Sequence, residues 1–532
     1  MSSSSTWQIP ASFLQSYSSL ESYPLNLLRQ TSYPAVSEAY ASRLQNASAT
    51  LFTDKEESIH VPVREFIGQT CNKRNILSDQ KLKLFLGDDS MPDPLAPSTQ
   101  VGVPVTKKDP ICRFIFLWAG DSREPLKISR RMLLRILTYH QVMMHYLDFI
   151  SVFGSQSEQR DLRFSGFKET SFLSSHHGGQ EITSLGRSGR QYQLCFNLKG
   201  VSCLTPKEKV VKNKLWSIRQ AALHHQFDVQ TGNTLWMIAK GDLELKERIE
   251  VFTGPYGKPE DRAFGTVEEC FKSSLAVHLL QCHWSTENWR WYIQCLEAVM
   301  ESITHLAVNG ARGLTEAQRI FTPHDLQAVQ NCEDKTNEAI MVLQANSDVL
   351  NSLRRFYERL RDNKHFPLAA ACHEDVVEFS MQIEDMVYDS NMQVARAKVL
   401  VQITEDRKTL ILQHLQSQAT ETMEILTIKM HKIGALSQKE AIAMRIVTVV
   451  TLIYLPATFV STFFSTDVVK YQTDNGRTSF SDLAMWRWLE VTLPLTVVTL
   501  GIGYAFVKYE EKRIRKMALL PTTNDLVKGL GP

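Results

Sequence analysis

An uncharged apolar run of about twenty residues follows Arg445 near the C-terminal end of the chain. A helix of this length matches the ~30 Å hydrocarbon core of a bilayer, so the run predicts a membrane span at about 446–466. A second apolar run predicts another span at about 488–507. The chain is therefore expected to end in a two-span transmembrane hairpin, 444–507, and a basic tail, 508–532.

The first predicted span carries a stripe of hydroxyl side chains. They recur three, four or seven residues apart, which places them on one face of a helix. The stripe suggests a wettable face turned toward neighbouring copies or a pore. Ordinary helix packing also uses Ser and Thr, and this alternative stays open. The candidate pore-lining residues are Met444, Thr448, Thr451, Leu455, Thr458, Thr462 and Ser465.

Basic residues flank the hairpin. Arg445 precedes the first span, and five Lys and Arg residues lie between Lys508 and Lys516 after the second. The positive-inside rule then predicts that both the N-terminus and the C-terminus are cytosolic. The N-terminal stretch has no arginine before Arg29 and an early Glu21, which argues against a mitochondrial transit peptide. We therefore expect a multi-pass protein of the plasma membrane rather than of an organelle.

The middle of the chain, 111–265, has the alternating pattern of an α/β cytosolic domain. Strands are predicted at Cys112–Trp118 and 192–201, followed by a hairpin whose strands are 218–226 and Thr234–Lys240. A helix is predicted at 129–149. The first 110 residues are rich in serine and proline, and they predict helical pieces and loops.

Helical spacing dominates residues 266–443. Two helices are predicted within 266–306, a further one at 324–361, and a long stalk at 372–445 that runs into the first span. The heptad-like apolar rhythm favours coiled-coil packing. The fold class is therefore an α+β cytosolic domain with a long helical stalk and a C-terminal two-helix transmembrane hairpin.

The hairpin resembles the CorA-type divalent-cation channels. The residues that carry the resemblance are Met444-Arg445, then Pro456, Thr458 and Phe459, and then Trp486-Arg487-Trp488 before the second span. The family's Gly-Met-Asn signature is replaced by Ser465, Thr466 and Asp467, as in divergent fungal members. The resemblance implies a CorA-like fold, a homo-oligomer that is a pentamer, and a path for magnesium or another divalent cation along the first span.

Asp467 would place a ring of carboxylates at the pore mouth, where the family has amides. Such a ring attracts cations, and mutual repulsion raises the proton affinity of some of its members. Magnesium dehydrates reluctantly, so calcium, manganese or zinc could be held as readily. A simple helix cap is the alternative role for Asp467. Acidic residues at the start of the stalk are candidates for regulatory metal sensing, or for a solvated face: Glu374, Asp375 and Glu378.

Composition excludes several other functions. A net charge of +2 argues against nucleic-acid binding by bulk electrostatics. The His and Cys residues have no partner pair at a zinc-site spacing, and the sequence shows no recognisable set of catalytic residues. We therefore expect neither enzymatic activity nor a cofactor. The expected partners are further copies of the chain, the lipid bilayer and divalent cations. The leading hypothesis is passive cation conduction. The alternative is a membrane-anchored, non-conducting scaffold or sensor derived from such a channel.

Overall fold

The computed structural model describes residues 9–29, 32–67, 70–88, 107–121, 123–155, 163–174, 181–203, 216–309, 321–465 and 482–518. The chain divides into two compact units, Met1–Leu415 and Gln416–Pro532. The first unit contains a mixed β-sheet with helices on both faces, and the second contains the two apolar helices. The predicted fold class is confirmed.

In the described part of the chain, seven strands form one sheet in the order β2-β1-β3-β7-β6-β5-β4. Every neighbouring pair is antiparallel except β3 and β7, which run parallel. The strands are β1 (Val61–Ile67), β2 (Thr70–Ile76), β3 (Cys112–Trp118), β4 (Phe167–Phe172), β5 (Gln191–Cys203), β6 (Trp216–Asp228) and β7 (Thr234–Lys240).

Among the described residues, five α-helices belong to the N-terminal part of the first unit and six follow the sheet. The first five are α1 (Ala11–Ser18), α2 (Pro34–Leu51), α3 (Asp79–Leu86), α4 (Arg130–His140) and α5 (Tyr146–Ile150). The others are α6 (Glu244–Phe252), α7 (Val267–Thr286), α8 (Trp289–Asn309), α9 (Pro323–Arg361), α10 (His373–Ser465) and α11 (Asp482–Ala518).

The sheet is buried on both faces because its side chains alternate between two apolar cores. Along β3, Ile115 and Leu117 point into a core that includes α1 to α5. Phe114 and Phe116 point into the opposite core, which includes α6, α7, α9 and the start of α10. The first unit is therefore built in three layers, with the sheet in the middle.

Two strands lie where the sequence predicted only helical pieces and loops. Strand β1 is buried at all but its last residue, although its centre carries the charged pair Arg64 and Glu65. Each charge has a partner of opposite sign from a distant part of the chain: Arg64 contacts the half-buried Glu250 at 2.8 Å, and Glu65 contacts the buried Arg113 at 2.7 Å. These contacts compensate the two charges in the folded strand. In the sequence, the same charges interrupt the apolar pattern by which a buried strand is recognised. The sheet therefore crosses the predicted boundary at residue 110.

The helix predicted at 129–149 is interrupted. Gln141 adopts a left-handed conformation with φ of 53°, which ends α4 and separates it from α5. The Gln141 side chain accepts a hydrogen bond from Leu28 N at 2.8 Å and donates one to Thr138 O at 2.7 Å. Tertiary partners therefore end the helix where its local sequence would continue.

The remaining helices follow their sequence signals. Thr266 and Glu269 form a capping box at the start of α7, and α7 and α8 are separated at Asn288, whose φ is 68°. The aromatic residues at this junction are mostly core: Trp284 and Trp289 are buried. Trp291 is an exception, since about half of its surface (52%) is exposed.

The N-terminal part of α10, which belongs to the first unit, packs on α8 and α9. Arg396 pairs with Glu297 of α8 at 2.5 Å, and Lys408 pairs with Glu333 of α9 at 2.8 Å. In the turn between α9 and α10, His365 N donates to the Asn363 side chain. The two helices correspond to those predicted at 324–361 and from 372 onward.

Candidate functional site

The second unit contains two helical segments that are long and apolar enough to cross a membrane. The first lies in α10, which ends at Ser465, and the second is Met485–Tyr509. Only 11% and 6% of their most apolar windows are buried. Such low burial distinguishes them from the core helices of a soluble domain.

The threonines of the predicted stripe donate hydrogen bonds to their own helix. Thr448 Oγ1 donates to Met444 O at 2.7 Å, Thr458 Oγ1 to Tyr454 O at 3.0 Å, and Thr462 Oγ1 to Thr458 O at 2.7 Å. Each hydroxyl proton is therefore satisfied without a partner outside the helix. The hydroxyl oxygens keep lone pairs that accept hydrogen bonds, so the stripe presents a row of acceptors.

The opposite face of the first span packs against α11. Pro456 and Val460 are buried, and Trp488 Nε1 of α11 donates a hydrogen bond to Ser461 Oγ at 3.0 Å. At 3.6 residues per turn, the direction defined by Pro456 and Val460 lies roughly half a turn from that of Thr458. The stripe therefore points away from the second span.

All seven candidate pore-lining residues are exposed in the single chain. Met444 is 68% exposed and Leu455 is 70% exposed. Ser465 Oγ donates to Thr462 O at 2.8 Å, so it continues the same pattern of bonds to the helix. The structure thus brings the stripe together on one free face. The other two pore-mouth candidates, Thr466 and Asp467, lie outside the described residues.

The proposed regulatory acids lie in the first two turns of α10. Asp375 pairs with Lys272 of α7 at 3.1 Å, and this hydrogen bond raises the pKa of Lys272. Glu378 accepts a hydrogen bond from Gln382 at 3.2 Å, and Glu374 is exposed. Within the part of the chain that the structure describes, no group of three or more His, Cys, Asp or Glu side chains could hold a metal ion.

A network of buried charges was missed by sequence reasoning. Asp109 accepts hydrogen bonds from Arg113 at 3.3 Å, from Arg187 at 2.6 Å and from Tyr139 at 3.1 Å. Burial raises the pKa of Tyr139 above its ordinary value, and the Asp109 carboxylate raises it further. These residues are scattered over the sequence without a motif, and the i, i+4 spacing of Asp109 and Arg113 was the one local signal.

A sheet-containing unit that continues through a long helix into two apolar helices defines a membrane protein of the two-span type. The family model of CorA-like transporters matches residues 15–308, which is more than half of the chain. The protein therefore belongs to the CorA-like transporter family. Members of this family are transporters rather than enzymes. The match lies on the first unit and ends before the stalk and hairpin, so it does not include the hairpin residues that resemble the CorA-type channels.

The solved structures that resemble this chain at a distance include the following two. The CorA magnesium transporter from Methanocaldococcus jannaschii is 10% identical, with a TM-score of 0.36 over 84% of this chain and 97% of that one. The full-length CmaX protein is 10% identical, with a TM-score of 0.32 over 85% and 99%. Likenesses at this level say nothing about shared ions or residues. No curated protein matches the chain.

Proposed function

We propose that the protein is a homo-oligomeric channel that conducts divalent cations passively across a membrane. The observation that carries this proposal is the row of hydroxyl oxygens at Thr448, Thr458 and Thr462. The row faces away from the second span, and its hydroxyls donate hydrogen bonds to backbone carbonyls of their own helix. Membership of a transporter family supports the same function.

The chemistry of the row suits a hydrated cation. Water molecules around a cation point their oxygens at the ion and their protons outward, so they donate hydrogen bonds to acceptors on a pore wall. A hydroxyl that donates its hydrogen bond to the helix backbone still has lone pairs, so it can serve as such an acceptor. Because Mg²⁺ keeps several of its waters when bound, a wall of acceptors is adequate for it without direct carboxylate ligands.

Conduction requires several copies of the chain. Two helices cannot enclose a path, whereas several copies around an axis can place one stripe from each copy on the inside. A pentamer is the assembly that the family resemblance implies. Asp467 of each copy would then contribute to a ring of carboxylates at the mouth.

The orientation follows from the charges beside the spans. Arg445 lies before the first span, and Lys508 and Lys512 follow the second. Under the positive-inside rule both termini are cytosolic. The first unit would then occupy the cytosol, with the plasma membrane as the resident membrane.

A second candidate function is a membrane-anchored scaffold or sensor that does not conduct. The observation that favours it is the replacement of Gly-Met-Asn by Ser465, Thr466 and Asp467. A scaffold would keep the hairpin and its packing, and it would have no need of an ion-compatible stripe.

Flux into liposomes separates the two functions. The purified full-length protein is reconstituted, and entry of Mg²⁺, Ca²⁺, Mn²⁺ and Zn²⁺ is followed with an enclosed dye under an imposed membrane potential. A channel gives flux that follows the gradient and the potential. Folded, oligomeric protein that passes none of the four ions would establish the scaffold.

A further inference from the structure

A small pocket opens in the first unit beside the carboxyl end of α4. Its volume is about 80 Å³, and it lies between the loop around Arg29, the end of α4, and strands β4 and β5. Arg29 and Arg187 both line it, whereas none of its described lining residues is an aspartate or a glutamate. The lining therefore carries two guanidinium groups and no carboxylate. Arg187 is paired with Asp109, which lies outside the lining, whereas Arg29 has no carboxylate partner among the described residues.

Arg187 is held in a fixed orientation. Its Nε donates to Asp109 Oδ2 at 2.6 Å, and its Nη1 donates to Tyr139 O at 2.7 Å. Two bonds fix the plane of the guanidinium group, so the direction of its remaining donor is set as well. That donor, Nη2, is buried and has no hydrogen-bond partner among the described residues.

Arg29, the second guanidinium of the lining, contacts the loop that carries Arg187. Its Nη2 donates to Gly189 O at 3.0 Å, two residues after Arg187, and its guanidinium lies 4.1 Å from the centre of the Phe172 ring. Its Nη1 is buried and likewise unpaired within the described part of the chain. Burial lowers the pKa of Arg29, as expected for a cation that lacks a carboxylate partner.

Gln226 adds an acceptor to these two donors. It is buried, with 8% of its surface exposed, and its Nε2 donates to Gln191 Oε1 at 2.7 Å. Its Oε1 is buried without a donor from any described residue. A buried amide oxygen without a donor costs free energy, so a ligand that supplies a proton here is favoured.

We propose that this pocket binds a small, protonated oxyanion of the phosphate class. Arg29 Nη1 and Arg187 Nη2 donate to its oxygens, and Gln226 Oε1 accepts from its P–OH group. Guanidinium groups suit phosphate because their planar forks match its oxygens. The volume is far below the roughly 300–1,000 Å³ of clefts for larger ligands, which favours the free ion over a nucleotide. This site is independent of the proposed cation path.

Calorimetric titration of the full-length protein tests the proposal. Inorganic phosphate is titrated at neutral pH and constant ionic strength, with sodium chloride as the blank. We expect a saturable binding isotherm for phosphate and none for chloride. Sulfate has the same shape but no proton to give to Gln226, so it should bind several-fold more weakly. Glycerol 3-phosphate should also bind more weakly, because the pocket is small.

The matched variants are Arg29→Gln and Arg190→Gln. Arg190 lies on the same loop as Arg187, but it is exposed and does not line the pocket. Loss of a charged hydrogen bond should weaken phosphate binding about tenfold or more in Arg29→Gln, while Arg190→Gln should bind like the wild type. Arg29→Lys keeps the positive charge but lacks the planar guanidinium group. If Arg29→Gln does not fold, Arg29→Lys provides the same test, with an expected several-fold loss of phosphate affinity.

Three results would overturn the assignment. One is a phosphate titration indistinguishable from chloride. Another is wild-type affinity in both Arg29 variants, which would move any binding elsewhere. The third is that sulfate or glycerol 3-phosphate binds as tightly as phosphate. Tight sulfate binding would show that Gln226 accepts no proton from the ligand, and tight glycerol 3-phosphate binding would show that the pocket is not restricted to the free ion. None of these measurements depends on cation flux, so the two proposals can fail separately.

Discussion

Trp488 Nε1 donates a hydrogen bond to Ser461 Oγ at 3.0 Å, and this bond joins the two candidate spans. It fixes which face of the first span meets the second. The same packing buries Val460 and leaves Thr458 and Thr462 exposed. One polar contact between the helices thus determines which residues can face other copies of the chain.

The Trp488 contact predicts a coupled loss of hairpin stability. Trp488→Phe and Ser461→Ala should each lower the free energy of unfolding by about 1 kcal/mol. The double variant should cost about as much as either single one, because both remove the same bond. A double-mutant cycle of unfolding in mixed micelles measures the coupling. Additive losses would show that the two side chains do not interact.

A second prediction concerns the buried pair of Glu65 and Arg113, each 2% exposed at its side chain. Glu65→Gln leaves the Arg113 charge buried without its nearest carboxylate, which should cost about 3 kcal/mol. The matched control is Glu169→Gln, since Glu169 pairs with Arg359 on the surface and should cost less than about 1 kcal/mol. Chemical unfolding followed by tryptophan fluorescence compares them. Equal losses would contradict the role given to burial.

Acid should destabilise the first unit because four buried histidines resist protonation. Burial lowers the pKa of His140 and His225 well below the ordinary value, and it lowers those of His224 and His278 to about 3. The unfolded chain takes up these protons near pH 6.5. The stabilisation is therefore complete above pH 6.5 and is lost as the pH falls toward 3, at about 1.4 kcal/mol per pH unit for each histidine.

The slope of stability against pH checks this account. Between pH 4 and 6, His224→Gln should lower the slope by about one proton, whatever it does to the stability itself. His373→Gln is the matched substitution at an exposed histidine. An unchanged slope in His224→Gln would mean that His224 already carries a proton in the folded protein.

The charge of Asp467 should influence which divalent cation is preferred. Asp467→Asn keeps the size of the side chain and removes its charge, so the carboxylate ring becomes an amide ring. Flux of Ca²⁺, Mn²⁺ and Zn²⁺ should fall relative to flux of Mg²⁺, because an amide ring attracts ions through their water shells rather than by direct charge. The ratio of ion fluxes in liposomes measures the change. A ratio equal to that of the wild type would assign Asp467 to helix capping.

Periodic features of this protein could be predicted from sequence, and features that depend on distant partners could not. The hairpin of β6 and β7 was visible because apolar strands flank a turn at Gly232, whose φ is +77°. Strand β1 was hidden because Arg64 and Glu65 look like surface residues until Glu250 and Arg113 are brought beside them.

The same division holds for the candidate sites. The hydroxyl stripe could be predicted because its spacing follows the helical period. Its direction could not, since that depends on the bond between Ser461 and Trp488. The pocket of Arg29 and Arg187 had no sequence signal, because 157 positions separate the two residues (187 − 29 − 1) and only the fold brings both to the loop at Gly189.

Cation flux through reconstituted protein with an altered stripe tests the central claim most directly. The variant Thr458→Leu/Thr462→Leu replaces two hydroxyl acceptors by apolar groups, whereas Thr499→Leu makes one such replacement on α11. With assembly verified for all three proteins, divalent-cation flux should be abolished in the stripe variant and retained in Thr499→Leu and the wild type. Undiminished flux through the stripe variant would show that the ions do not pass along this face.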